Sequence, residues 1–319
     1  MNNGTGIMLG LVAALCWGVA DFCARGSSRA GGTFLTLFCV QIIGIAGMLL
    51  LNQPLDLISF AHATPGAVTL AVIINLMILC GAALLYHAFS VGTLALISPI
   101  AASFAAITAA LSLLTGERAN PVQLVGFVVT VAGVVLTSTD FASTTAIARK
   151  DDQKTNAFAH YRRPAPGVVE TLIAVLIFGV GFWALRYPIA VLGGTTTIYI
   201  AKVADMAALM LTALLGLAIY QFRIRHKGIA SDNAPWYVMR MPARSFWPWV
   251  IPFALLDTAA NIAYSLGLAV SLTAIVSVVS SLFSAVTVLM ACIFLRERLV
   301  RWQWVGVGAI LVGIALVSV

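Results

Sequence analysis

Charged side chains are scarce in this sequence of 319 residues. Only 9% of the residues are Asp, Glu, Lys or Arg, while 61% are hydrophobic. A soluble domain carries about 25% charged residues. A chain of this length is long enough to bury a large core, but it would still need a polar surface, and these residues are too few to supply one. Lipid must therefore cover the outside, and the composition predicts an integral membrane protein.

Sequence motifs for catalysis and for ATP hydrolysis are also missing. No GxxxxGK[ST] loop occurs, which argues against an ATP-driven pump. No HExxH or GxSxG segment occurs, and no carboxylates cluster with histidine, so we expect no enzymatic activity, no metal and no cofactor. The cysteines lack the CxxC spacing of zinc sites, which predicts buried free thiols. They are Cys16, Cys23, Cys39, Cys80 and Cys292.

The net charge of +7 does not indicate a nucleic-acid partner. Basic residues lie in short clusters between apolar runs, without an RNA- or DNA-binding motif. Anionic lipid headgroups and membrane topology explain these clusters better. We therefore expect membrane lipid and a small-molecule solute as partners and no nucleic acid, and a monomer is compatible with the sequence.

Ten apolar runs are long enough to cross a bilayer, which requires about 20 residues each. They are 6–25, 32–51, 66–89, 93–114, 120–139, 167–185, 195–220, 247–267, 271–294 and 301–319. The polar stretches 140–166 and 221–246 are interpreted as extramembrane linkers. The first run follows no basic n-region and precedes no clear cleavage site, so we interpret it as a retained span rather than a signal peptide.

The distribution of Lys and Arg predicts the orientation of these spans. Lys202 lies inside a span, and only Arg118 and Arg186 fall on one side of the membrane. The other side has Arg25, Arg29, Arg149, Lys150, Lys154, Arg162, Arg163, Arg223, Arg225, Lys227, Arg240, Arg244, Arg296, Arg298 and Arg301. Because cytoplasmic loops carry an excess of Lys and Arg, both linkers are predicted to be cytoplasmic and both termini to face outward.

The two halves of the chain align with each other. The segments "ERANPVQLVGFVVTVAGVVL" (117–136) and "ERLVRWQWVGVGAILVGIAL" (297–316) share Glu, Arg, Gln, Val, two Gly and Leu without a gap. The segments 6–18 and 167–179 also match, which places Arg25 over Arg186. Five spans per half is an odd number, so the second half enters the membrane upside down. Inverted repeats of this kind are typical of transporters that alternate access about a site near the bilayer midplane.

The predicted fold is therefore an all-α membrane protein of ten transmembrane helices, arranged as two inverted five-helix repeats. Residues 1–139 form the first repeat, 140–166 a cytoplasmic linker, and 167–319 the second, inverted repeat.

Short motifs in both halves are similar to those of a known group of transporters. They are the start "LCWGVADFCAR" (15–25), the "GER" and "RER" ends of spans 4 and 9, and the paired glycines of spans 5 and 10. The chain resembles the drug/metabolite transporter superfamily, in particular its ten-helix EamA-type members, and within these the bacterial exporters of aromatic amino acids and related metabolites. The resemblance implies a location in the bacterial inner membrane and export of the solute. Many members have a basic loop after span 2, whereas 52–65 contains no Lys or Arg, so the resemblance does not decide the orientation.

Lys202 and Asp205 are the first candidates for a solute site. A charged side chain at the bilayer centre costs roughly 2.5–3.5 kcal/mol on insertion scales, so it usually faces the bundle interior or a wet cavity. The two residues are three apart and lie on one face of a helix, with Tyr199 one turn earlier. One interpretation is an internal ion pair that only holds the bundle. The other is a hydrated pocket in which Lys202 binds a solute carboxylate and Asp205 a positive group or a proton.

Asp257, Asn261 and Tyr264 are the second set of candidates. Their spacing of four and three residues places them on one narrow stripe of a helix. They either line the cavity or form a hydrogen-bonded stripe between packed helices.

Other polar residues within the spans have both structural and functional interpretations. Asp21 and Arg25 lie near the inner end of span 1, as structural or gating residues. Tyr86 and His87 are candidates at the end of span 3; His87 is able to titrate near neutral pH, although a single histidine is more often an interfacial hydrogen-bonding group.

Aromatic and small residues complete the set of candidates. Trp17, Phe178 and Trp183 either present rings to a cavity or serve as packing and interface anchors, and Trp17 and Phe178 are repeat equivalents. The equivalent segments 98–112 and 277–291 are rich in small residues, which predicts close helix packing.

The function predicted from these observations is secondary transport of a small, amphipathic, amino-acid-like solute, with an aromatic group as one option. Proton coupling and simple downhill transport both fit the sequence. The alternative is a carrier or flippase for nucleotide-linked or lipid-linked metabolites. That class needs a larger basic patch than Lys202 alone provides.

Overall fold

The computed structural model describes residues 3–50, 64–118, 120–138, 166–227, 243–297 and 301–317, and these residues are helical, with no β-strand among them. The helices of the first half are α1 (Asn3–Gly31), α2 (Thr33–Leu50), α3 (Pro65–Val91), α4 (Leu94–Ala102), α5 (Phe104–Leu114) and α6 (Pro121–Ser138). Those of the second half are α7 (Val168–Ala184), α8 (Arg186–Leu192), α9 (Gly194–Lys227), α10 (Trp247–Val270), α11 (Thr273–Ser280), α12 (Phe283–Phe294) and α13 (Arg301–Val317). A 3₁₀ turn, Arg244–Phe246, precedes α10.

In the described parts of the chain, eight helical segments are long and apolar enough to cross a membrane. They correspond to the first four predicted spans and to the sixth through ninth. The regions of the predicted fifth and tenth spans are helical, as α6 and α13, and pack against each other, but they are not among the eight. The all-helical membrane class is thus confirmed, while the number ten stays a prediction.

Some boundaries differ from the sequence prediction. The helix α9 continues to Lys227, beyond the predicted end of span 7 at residue 220. Nearly all of the predicted linker 140–166, and residues 228–242 of the second linker, lie outside the described residues. The sixth span continues to Leu192, beyond its predicted end at residue 185, and a break at Leu185 divides it into α7 and α8.

Spans 4 and 9 are both divided into two helices near their middle. The helices α4 and α5 meet at Ser103, and α11 and α12 meet at Ser281 and Leu282. The Ser103 hydroxyl donates to the carbonyl of Ile100, and the Ser281 hydroxyl donates to the carbonyl of Val278. In each case a side chain supplies a partner for a backbone carbonyl at the break, as a segment within a membrane requires. These two spans are also the most buried of the eight.

The main helix contacts of one half recur in the other half with the halves exchanged. The first helix of each half packs on the third span of the opposite half: α1 packs on α10, and α7 packs on α3. Each also packs on the fourth span of the opposite half, α1 on α11 and α12, and α7 on α4 and α5. The helices α2 and α9 contact each other, as do α6 and α13. The two halves are therefore interleaved across a shared interface.

The contacts along α1 and α7 also give their directions. Gly6, near the start of α1, contacts Ser271 at the end of α10. Arg29, near the end of α1, donates from Nε to the carbonyl of Ser90 near the end of α3, at 3.0 Å. Gly167, directly before α7, contacts Ala88 in the same part of α3. Because α7 begins at the level where α1 ends, the two helices run in opposite directions.

None of the five cysteines, all of which lie in the described part of the chain, forms a disulfide, and only two of them are buried. Cys23 and Cys39 lie in the interior, whereas Cys16 and Cys292 are half-buried and Cys80 is exposed. The prediction of burial is therefore wrong for Cys80. An apolar sequence environment does not imply burial in a membrane protein, because the outer face of a span is covered by lipid rather than by protein.

Candidate substrate cavity between the two halves

A cavity of about 110 Å³ lies between the two halves of the chain. Helices α1 to α5 line it from the first half, and α7, α9, α10 and α12 line it from the second. Its wall combines a group of charged and amide side chains with a group of aromatic rings. The cavity therefore belongs to neither half alone.

Lys202 forms a buried ion pair across two helices. Its Nζ lies 3.2 Å from Oδ2 of Asp257 on α10, and both residues line the cavity. Lys202 thus pairs with a carboxylate on another helix and not with its helix neighbour Asp205, the pairing that one of the two interpretations of the sequence assumed. Spacing along α9 points only to Asp205. The packing of α9 on α10 brings the carboxylate of Asp257 within reach of Lys202 as well.

A glycine of α2 makes room for the lysine. A Cβ atom on Gly44 would lie 3.2 Å from the Lys202 Nζ and closer still to the Thr258 Oγ1. The absence of a side chain at Gly44 therefore allows α2, α9 and α10 to converge around this ion pair.

Two further carboxylates line the cavity and form no ion pair within 4.0 Å in the described part of the chain. Asp205 accepts a hydrogen bond on Oδ2 from Gln41 Nε2 at 3.2 Å, and its Oδ1 has no hydrogen-bond partner among the described residues. Asp21 is buried in α1, and its Oδ2 likewise has no partner in the described part of the chain. The neighbouring Arg25 does not neutralise Asp21, because it pairs with Glu297.

The aromatic part of the cavity wall is a continuous ring cluster contributed by both halves. Phe104 of α5 lies 4.9 Å from Phe182 of α7, centroid to centroid. Trp17 of α1 lies 5.7 Å from Phe182 and 6.4 Å from Phe283. Phe178 lies 5.7 Å from Phe182. These five residues all line the cavity and offer a planar apolar group several ring faces and edges.

Most of the residues selected from the sequence meet at this cavity. Those that line it are Trp17, Tyr86, Phe178, Lys202, Asp205, Asp257 and Asn261. Tyr264 lies directly behind the wall: its hydroxyl is 2.7 Å from the Ser277 hydroxyl, and its ring packs 5.4 Å from that of Trp17.

The three remaining selected residues lie away from the cavity wall. Tyr199 is buried in a separate cluster with Met48 and Ile198. His87 is exposed on α3. Trp183 lies at one end of the bundle, where its Nε1 donates to Thr115 Oγ1 at 3.2 Å.

Some residues of the cavity wall were not selected from the sequence as binding residues. Gln41 and Asn75 are buried amides in otherwise apolar spans, and this isolation was a usable signal. Asp21 was interpreted only as a structural or gating residue. Phe104 and Phe182 gave no such signal, because phenylalanine is common throughout apolar spans.

Two glutamates join the halves at the starts of the broken fourth and ninth spans, and we call these contacts latches. The first, which we call the Glu297 latch, consists of Arg25, Ala95 and Glu297. Glu297 Oε1 lies 2.9 Å from an Arg25 guanidinium nitrogen, and Oε2 accepts the backbone N–H of Ala95 at 2.9 Å. Ala95 is in the first turn of α4, where unpaired N–H groups and the helix dipole favour a carboxylate.

The second, the Glu117 latch, consists of Glu117, Arg186, Thr273 and Ala274. Glu117 Oε1 lies 3.0 Å from an Arg186 guanidinium nitrogen. The backbone N–H groups of Thr273 and Ala274, at the start of α11, donate to its two carboxylate oxygens at 3.2 and 3.1 Å.

The two latches are the same device with the halves exchanged. Glu117 and Glu297 are equivalent in the alignment of the halves, as are Arg25 and Arg186, and each glutamate binds the other half's broken span. Thr273 follows Ser271, which contacts Gly6 at the start of α1. The Glu117 latch therefore lies towards the start of α1, and the Glu297 latch towards its end.

Comparisons with known proteins point to one family. Residues 4–139 match the model of the EamA-like transporter family. An uncharacterized protein of Methanocaldococcus jannaschii is 31% identical over 135 residues, which make up 42% of this chain and 96% of that protein. A solved crystal structure superposes with a TM-score of 0.68 and 16% identity, covering 99% of this chain and 96% of the other, and so shares the fold. The chain belongs to the EamA-like transporter family of the drug/metabolite transporter superfamily.

Proposed function

We propose that this transporter moves a small, amphipathic, amino-acid-like solute by alternating access, using two inverted five-helix repeats, 1–139 and 167–319. Family membership makes the chain an integral membrane transporter of small solutes. The observation that carries the finer proposal is the cavity, because both halves line it and it joins charged groups to aromatic rings. A site at the interface of two repeats is exposed to either side when the halves rock against each other.

Three observations support the inverted arrangement: the directions of two helices, the pattern of helix contacts, and the length of a relative. The helices α1 and α7 run in opposite directions, and the helix contacts recur with the halves exchanged. A relative about as long as one half is matched over 96% of its length, which fits a single repeat as the family's unit.

The latches supply a physical basis for alternation. Each contains a half-buried glutamate that accepts one or two backbone N–H groups of the opposite half, and the two latches lie at opposite ends of α1. Opening one end of the cavity separates the partners of one latch, while the other latch keeps the opposite end closed. Because one latch stays closed while the other opens, the cavity is never open to both sides of the membrane at once.

The composition of the cavity favours a small solute over the alternative class of nucleotide-linked or lipid-linked metabolites. Among the described residues of its wall, Lys202 is the one cation, and it already pairs with Asp257. A phosphate-bearing solute would need additional cations. Export, a bacterial inner-membrane location and outward-facing termini follow the resemblance and the charge distribution, and they stand as parts of the proposal.

Counterflow in proteoliposomes tests the transport proposal. Vesicles are loaded with each of a panel of unlabelled amino acids and amines, and the entry of the labelled compound is measured. We expect transient accumulation of at least one aromatic member in vesicles with protein and none in empty vesicles. If no member of the panel exchanges, the proposed solute class is wrong.

A reversible cross-link tests the alternating-access mechanism in the same assay. In a background whose native cysteines are replaced by alanine, Ala95→Cys with Glu297→Cys joins the halves at one end. Counterflow should stop on oxidation and return on reduction, while Glu297→Cys alone should not respond to oxidant. Continued exchange by the oxidised, fully cross-linked protein would contradict alternation at this latch.

The driving force is tested by imposing a pH gradient on the same vesicles. Moving one charge across 100 mV is worth about 2.3 kcal/mol, so a proton-coupled carrier would accumulate solute above its equilibrium level. We include proton exchange at the cavity carboxylates in the proposal. Equilibration without accumulation would indicate downhill transport.

A further inference from the structure

We infer that the cavity selects solutes with a net positive charge, in the form of an amine attached to an aromatic or other apolar group, and that Asp21 and Asp205 accept the amine. This inference rests on the proposed transport function and names its substrate class. It also reverses the sequence-based expectation that Lys202 binds a solute carboxylate.

The balance of charge in the cavity is the first argument. The ionisable acids and bases of the described wall are Asp21, Asp205, Asp257 and Lys202, apart from the phenol of Tyr86. The ion pair of Lys202 with Asp257, at 3.2 Å, joins the single cation to one of three carboxylates. Two carboxylates are left over, so a solute cation completes the balance, whereas a solute anion would meet like charge.

The open acceptor positions are the second, independent argument. Asp21 and Asp205 are only 6% and 8% exposed, yet one oxygen of each lacks a hydrogen-bond donor among the described residues. Buried polar atoms in folded proteins are nearly always paired, and an ammonium group supplies three donors and no acceptor. The two unpaired oxygens on α1 and α9 thus mark where such a group binds.

The position of Asp21 on α1 links the acidic group to the aromatic group. Trp17 lies one turn before Asp21, and residues four apart share a helix face. Both line the cavity, and the Trp17 ring continues into the cluster of Phe182 and Phe283. A solute whose amine lies at Asp21 therefore places an apolar group one turn away, against these rings.

Lys202 is poorly placed to bind a solute anion. It is buried, paired with Asp257 and packed beneath Gly44. Binding a carboxylate there would require giving up the ion pair, which leaves Asp257 as an uncompensated buried charge.

Three ligands that share a phenyl ring and differ in charge test the inference on the purified full chain. They are phenethylamine (cation), phenylalanine (zwitterion) and phenylacetate (anion), with affinity measured by titration calorimetry at neutral pH. We expect phenethylamine to bind at least about tenfold more tightly than phenylacetate. Asp21→Asn and Asp205→Asn should each weaken phenethylamine binding at least about tenfold. Glu170→Gln is the matched control, because it removes a carboxylate from the first turn of α7, outside the cavity wall, and should change nothing.

Melting temperature separates loss of binding from misfolding. Asp21→Asn removes an unpaired buried carboxylate, so it should keep or raise the melting temperature of the ligand-free protein while it weakens binding. Phenylacetate binding as tightly as phenethylamine, or no phenethylamine binding, would overturn the inference. Phenethylamine affinity within twofold of the original in both asparagine variants would also overturn it. Transport of amino acids in the counterflow assay would in those cases leave the proposed function standing.

Discussion

At the scale of single residues, Lys202 shows how tertiary packing chooses among partners that the sequence leaves open. Lys202, Asp205 and Asp257 were all recognisable as charges within apolar runs, and all three reach one cavity. Their pairing was not recognisable, because it depends on how α9 and α10 are rotated against each other. The same limit explains why Asp21 was interpreted together with Arg25, although Arg25 pairs with Glu297 in the other half.

A double-mutant cycle tests the ion pair of Lys202 and Asp257. Lys202→Met or Asp257→Leu alone should lower the melting temperature strongly, because each leaves one buried charge unpaired; in soluble proteins this costs about 3–5 kcal/mol. The double variant should be milder than either single variant. The cycle of Lys202→Met with Asp205→Leu is the control and should show little coupling. Stronger coupling in this control cycle would instead favour the interpretation in which Lys202 pairs with Asp205 along α9.

Gly44 offers a second test at this scale. Gly44→Ala places a methyl group within 3.2 Å of the Lys202 Nζ and closer to Thr258, so α2 must move away from α9 and α10. We expect a lower melting temperature and weaker solute binding. Gly66→Ala is the matched control, because a Cβ there meets nothing within 4 Å. Equal effects of the two substitutions would show that the fit around Gly44 is not tight.

At the scale of helices and spans, the starts of the broken fourth and ninth spans are where the two latches join the halves. The sequence alignment placed Glu117 over Glu297, but it gave no indication that each binds the start of the other half's broken span. That contact depends on the interleaving of the halves, which a one-dimensional alignment does not contain. The division of both spans near a serine was likewise not predicted from the sequence.

Neutralising one latch should expose the cavity from one end only. In a background without native cysteines, Ala82→Cys places a thiol in the cavity wall, and an impermeant maleimide applied to oriented vesicles reports which side reaches it. Glu297→Gln should increase labelling from the side where α1 ends, and Glu117→Gln from the opposite side. Increased labelling from the same side in both variants would contradict the assignment of the latches to opposite ends.

At the scale of the whole molecule, composition and hydropathy were sufficient for the membrane class, and short motifs for the family. Eight of the predicted spans match helices of the described chain that are able to cross a membrane. The cavity was predicted only as a set of candidate side chains, because its shape depends on the packing of both halves. Tyr199, His87 and Trp183 illustrate this. In the sequence they resemble the lining residues, but the packing of the helices places them away from the cavity wall.

The orientation of the molecule is a further prediction from the distribution of Lys and Arg. Single cysteines placed in 140–166 and 221–246 should be shielded from an impermeant reagent in intact cells, while a C-terminal tag should be accessible from outside. The excess of positive charge on the side of both linkers is the physical reason. Permeabilised cells provide the labelling control, because the linker cysteines should react there, and the reverse pattern in intact cells would invert the topology.

The two latches are equivalent in design, but their arginines differ in the contacts that they make. Arg186 also donates to Thr115 Oγ1 at 2.8 Å and to the Tyr187 hydroxyl at 2.9 Å, and its guanidinium lies over the rings of Trp183 and Tyr187. Arg25 has no such ring contact in the described part of the chain. A difference of about 1.4 kcal/mol between two states changes their ratio tenfold, so the empty carrier should rest mostly open at the Arg25 end, which the charge distribution assigns to the cytoplasm. If the carrier exports, as proposed, this bias would leave its binding site open on the side where the solute is made, and the opening of the Arg186 end would limit each cycle.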